Sequence, residues 1–179
     1  MNELTTAMSR IDNSSAATLF ELSESVERQS PEALQESLQH LLTIPIQSAL
    51  NQLPRERVER LREQGVESEA FSQSQKQGIC SFGELLRYSQ PPLEMLRFAK
   101  DFGKAIVHSK GAVWPSQVGE VLNYAAYAVA LVCCRERLGT LSEAQLKKGF
   151  QKAAARTWVP AEIAQLFGRA LDRLQRRAS

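Results

Sequence analysis

Histidine, cysteine and long apolar runs are scarce in this sequence, and each scarcity removes a class of function. Its 179 residues contain two histidines and three cysteines. Cys133 and Cys134 are adjacent and Cys80 stands alone, so no disulfide framework can be built, and a reducing, cytoplasmic setting is expected. Neighbouring positions on a helix point about 100° apart, and no CxxC pair or nearby histidine accompanies the two cysteines; they read as core residues rather than as a nucleophile or a zinc site. His40 and His108 have no serine or carboxylate spaced to suggest a triad. Glycine-rich phosphate loops, HExxH and GxSxG are all missing. The most apolar run, residues 121–134, includes Asn123 and falls short of the roughly 20 residues that span a bilayer, so no membrane role is expected. Residues 1–10 carry no apolar stretch of the secretory kind. From these absences follows the expectation of a protein without catalytic residues, cofactor or metal.

What is present is helical signal. Ser14 and Ser15 precede Leu19, Leu22 and Val26, which repeat at steps of three and four. Ser30-Pro31-Glu32 is a restart: a hydroxyl for the cap, proline at the first helical position, and an acid at the positive end of the dipole. Leu34, Leu38, Leu41, Leu42, Ile46 and Leu50 then form an apolar stripe, in which Pro45 predicts a kink or break. Pro54 opens a short helix with Val58 and Leu61 facing inward, and Gly65 is its expected stop. Residues 66–78 lose the periodicity and collect serine, glutamine and glycine, which predicts a linker.

Beyond it, Ser81–Glu84 and Ser142–Gln145 match capping boxes. Pro91-Pro92, Pro115 and Pro160 each precede an apolar helical repeat. Residues 121–134 are apolar nearly all round, as a central helix must be. Trp114 and Trp158 each precede a proline-initiated helix, where the ring can fold over the first turn. The resulting expectation is an all-α fold: a flexible N-terminus (1–13), an acidic helical segment (14–65), a linker (66–78), and a basic, compact C-terminal bundle of about five helices (79–179). Charge changes sign at the same place. Residues 1–79 hold 7 Lys/Arg against 12 Asp/Glu, and residues 80–179 hold 15 against 8.

Two surfaces are candidates for function. The stripe Leu34, Leu38, Leu41, Leu42, Ile46 and Leu50 offers more apolar area than short helices cover alone, which predicts a protein partner or a homodimer formed through this segment. The second is a basic face made of Lys148 and Lys152 on one helix and Arg169, Arg173, Arg176 and Arg177 on the next, suited to an acidic partner or to nucleic acid. The stretch Glu162–Gly168 resembles the opening helix of helix-turn-helix proteins, but the helix formers that follow leave no separate recognition helix. The sequence therefore favours a non-enzymatic interaction protein, such as an adaptor, assembly factor or regulator. Nucleic-acid binding through the basic helices is the alternative, and a small-molecule carrier or enzyme with a site inside the bundle is the second.

Overall fold

Prolines and hydroxyl caps set the helix starts. The computed structural model describes residues 30–64, 69–110 and 113–178. Among them are nine α-helices: α1 (Pro31–Thr43), α2 (Ile46–Leu50), α3 (Arg55–Gln64), α4 (Glu69–Lys76), α5 (Phe82–Arg87), α6 (Leu93–Val107), α7 (Ser116–Cys133), α8 (Glu143–Ala154) and α9 (Ala161–Ala178). Pro31 is the first residue of α1; Pro45, Pro54, Pro92, Pro115 and Pro160 each stand immediately before a helix. There the missing N–H costs nothing and the fixed φ is already helical. Pro45 thus breaks the leucine-rich helix into α1 and α2.

The two serine caps differ in detail. Ser142 makes the full reciprocal box with Gln145: its hydroxyl accepts from the Gln145 N–H at 3.1 Å, and its own N–H donates to Gln145 Oε1 at 2.8 Å. Ser81 Oγ accepts from the Glu84 N–H at 3.2 Å and donates to the Glu84 carboxylate at 2.9 Å, so that pair closes side chain to side chain. α7 ends through Arg135, which takes a left-handed φ of 54°, while the Glu136 N–H donates to the Ala130 carbonyl at 3.0 Å.

At the centre lies α7, buried from Val118 to Val132 along most of its circumference. Its most extensive neighbour is α6, and the two backbones approach so closely that a Cβ built on Gly103 would stand 2.6 Å from the Gly119 carbonyl oxygen and from the Asn123 nitrogen. Asn123 Nδ2 donates to the Lys100 carbonyl at 2.7 Å across the same crossing. α8 and α9 pack on each other and on α7, while α1 packs on α5 and α7. α5 is held from below by the Ile46 N–H, which donates to the Cys80 carbonyl at 2.8 Å.

Two expectations change at this point. Where a linker was expected, residues 69–76 form α4, which packs on α6 and buries Phe71 completely. One large aromatic anchors the helix, and Ser74 is hidden because its hydroxyl donates to the Ala70 carbonyl at 2.8 Å. Residues 31–179 form a single compact unit with no division near 78. The apolar stripe is also already covered. Leu34, Leu38, Leu41, Leu42, Ile46 and Leu50 are all buried within the chain, and α1 packs on α5 and α7. The stripe is therefore not a free apolar face: its side chains lie in the protein's own core, because α5 and the flank of α7 supply cover that α1 lacks by itself, and Leu42 alone among them also lines the groove described below. The expected lead-in 1–13, the repeat from Leu19 to Val26 and the Gly65 stop lie outside the described residues.

Candidate functional site

A groove of about 660 Å³ opens between α1, α5 and α9. Its floor is aliphatic: Leu42 from α1, Leu86 from α5, and Ile163 and Leu166 from α9, with Cys133 at the end of α7 beside them. Amides and charges form its rim. Gln35 and Gln39 line it from α1; Arg87 closes α5; Glu162, Gln165 and Arg169 follow along one flank of α9. Arg87 Nε donates to Glu162 Oε1 at 3.1 Å, and both side chains remain well exposed. An exposed pair of this kind contributes at most about 1 kcal/mol, so it orients the rim more than it stabilises the fold.

Helical geometry extends the rim. Arg173 and Arg176 follow Arg169 at i+4 and i+7, positions that share a face. Arg169 is exposed and Arg173 half-buried. Of the residues singled out from sequence, Leu42 and Arg169 therefore meet in one place. The other five stripe residues lie in the core, and Lys148 and Lys152 stand exposed on α8. Lys152 is paired with Glu120 at 3.5 Å, and the side chain of Arg177 is outside the described residues. The helix-turn-helix likeness does not extend to the fold, since α9 runs unbroken through Gly168. Sequence reading passed over Gln35, Gln39, Leu86, Arg87 and Glu162. Arg87 and Glu162 are 75 positions apart, and no local pattern announces such a meeting.

The other polar clusters have structural work. Arg156, only 15% exposed, donates to Gln117 Oε1 at 2.8 Å and to Glu120 Oε2 at 3.2 Å, and its guanidinium lies 5.7 Å from the centre of the Trp158 ring. It fastens the turn after α8 to the start of α7. Trp114 is buried against Phe102, with its indole N–H lacking a partner. His40 and His108 are exposed, and no group of three metal-ligating side chains exists among the described residues. All three cysteines are free thiols. Cys133 and Cys134 are half-buried at the end of α7 rather than enclosed in the core. The Cys134 thiol donates to the Pro91 carbonyl at 3.4 Å. Burial pushes its pKa up, and the neighbouring Cys133 and Glu136 add to the shift, so it is held as the less nucleophilic thiol form. Among the described residues, no helix is long and apolar enough to cross a membrane.

Set against known protein families, curated proteins and solved structures, the chain matches none of them.

Proposed function

We propose that this chain is a non-enzymatic protein–protein interaction protein, and that a partner protein occupies the groove between α1, α5 and α9. The observation that carries this reading is the make-up of the groove: an aliphatic floor of Leu42, Leu86, Ile163 and Leu166 inside a rim of glutamines and arginines. An apolar centre with a polar, solvated edge is the anatomy of a specific interface, and arginine and tyrosine, represented here by Arg87, Arg169 and Tyr88, are among the side chains that most often dominate binding energy. Three free thiols suit a reducing cytoplasmic setting.

The arginines of α9 support a second reading, contact with a nucleic-acid backbone. It is weaker on two counts. Tyr88 is the single aromatic among the groove's lining residues, so consecutive bases find only one ring to stack on, and Lys152 is already engaged by Glu120.

A photo-crosslinking residue placed at Gln39 or Gln165 in the native cell distinguishes these cases. The expected result is a discrete protein adduct from both groove positions and none from Gln151, which is exposed on α8. Absence of groove adducts, or the same adducts from Gln151, would overturn the reading.

A further inference from the structure

The charges on the groove narrow the kind of partner that fits it. Glu162 is the one carboxylate among the lining residues, and Arg87 already holds it at 3.1 Å. Arg169 and Arg173 have no carboxylate partner among the described residues. Counting the exposed Asp172 beside them, the charge of this α9 edge remains positive, while Glu32 and Glu36 lie along α1 next to Gln35 and Gln39. The two guanidinium groups leave α9 one turn apart, about 6 Å along the axis. Carboxylates at i and i+4 on an opposing helix repeat at the same distance.

The floor narrows it further. Tyr88 is the one aromatic side chain among the lining residues, so successive unpaired bases find no series of rings to stack on, as single-stranded nucleic acid commonly uses. The aliphatic floor between α1, α5 and α9 suits the apolar face of one helix, with anchor side chains at steps of three and four. The described residues of a second copy are poorly suited to supply that face. Among the described residues, the exposed large apolar side chain is Val113, which stands singly.

From these observations we infer that the groove receives an acidic amphipathic helix of a partner protein, its apolar face on Leu42, Leu86, Ile163 and Leu166 and its carboxylates on Arg169 and Arg173. The inference rests on the groove being the interaction surface and adds the chemistry of the occupant. Opposite charge at the rim acts chiefly on specificity and on the rate of encounter, while the aliphatic floor supplies the affinity.

The test is fluorescence anisotropy on the full chain with four labelled probes. One is a helix-forming peptide with leucines at i, i+3, i+4 and i+7 flanked by glutamates. The second replaces those glutamates with lysines, the third is a scramble of the first, and the fourth is a single-stranded DNA oligonucleotide. The acidic amphipathic peptide is expected to bind most tightly, with the lysine version and the scramble weaker by about tenfold or more. Arg169→Glu with Arg173→Glu should erase that preference and turn it toward the lysine peptide, at unchanged melting temperature. Arg169→Gln alone should give a smaller loss in the same direction. Equal binding of acidic and lysine peptides, unaffected by the arginine variants, overturns the inferred charge while leaving the groove as an interface. Preferential binding of the oligonucleotide, lost in the same variants, overturns it in favour of nucleic acid. If no probe binds, the inferred occupant is wrong, and the cross-linking at Gln39 and Gln165 still decides the groove by itself.

Discussion

Leu38 shows how a single side chain separates two accounts of the same helix. On sequence, it belongs to a stripe awaiting a partner; in the structure it is fully buried within its own chain. The two accounts differ in what truncation does. Leu38→Ala is expected to destabilise the chain by about 2–5 kcal/mol, the cost of a lost buried side chain plus the cavity it leaves. Chemical denaturation reads this directly. A loss below about 1 kcal/mol, combined with a change of oligomeric state in sedimentation, would return the stripe to the surface. Tyr127 gives a second test at this scale. Its phenol is nearly buried, and its pKa is raised above the usual value near 10.0 first by desolvation, then by the charges of Tyr124 and Asp101. The fold thus favours the protonated phenol. The stability linked to it is fully present below the unfolded value and is lost as pH rises through the higher folded one. Melting temperature followed into the alkaline range should fall less steeply in Tyr127→Phe than in the unaltered chain; identical slopes would remove Tyr127 from the linkage. For the candidate site, residue type was informative only in part. Arg169 stood out as part of a helical row of cations, and Leu42 as part of a stripe. Arg87, Gln35 and Gln39 carry no local signal, because what makes them rim residues is the meeting of α1 and α5 with a helix far along the chain.

Helix positions were the most legible level, and for a local reason: proline before a helix and a serine cap act within four residues. The structure accordingly starts α2, α3, α6, α7 and α9 where prolines predict, and α8 where Ser142 does. α4 was missed because its hydrophobic signal amounts to Phe71. Serine and glutamine on its other faces obey no apolar period, and only the tertiary contact with α6 makes the helix worthwhile. The glycines of the α6–α7 crossing were equally silent. Gly103 and Gly119 interrupt good helical repeats at a cost of up to about 1 kcal/mol each relative to alanine. Their function emerges only when the two backbones meet. Gly103→Ala should therefore destabilise by about 1–3 kcal/mol or more, since the new methyl would meet backbone that cannot swing aside. Gly168 is the matched control: it lies in α9 with nothing within 4 Å of the place an added methyl would take, and Gly168→Ala should stabilise by about 0.5–1 kcal/mol. Thermal melts of the two variants that shift in the same direction would refute the close crossing.

At the scale of the whole chain, the change of charge sign near residue 79 suggested two modules, and packing argues otherwise. Net charge describes solubility and partners, not where a core divides. α1 packs on α5 and α7, and α4, with its buried Phe71, packs on α6. His40 on α1 even comes within 6.4 Å, ring centre to ring centre, of Trp114 at the start of α7. Cutting the chain at 79 would strip the cover that α1 gives α5 and α7 and that α3 and α4 give α6. The groove would vanish too, for α1 is one of its walls. A fragment of residues 79–179 should consequently keep much of its helical circular dichroism, melt at lower temperature and with less cooperativity than residues 31–179, and bind the apolar dye ANS, as expanded helical states with loosened packing do. It should also fail to hold any ligand of the groove. If instead the shorter fragment melts as sharply and as high as the longer one and binds no dye, the first four described helices contribute nothing to the core of the rest, and the boundary that the charges suggest is a real one.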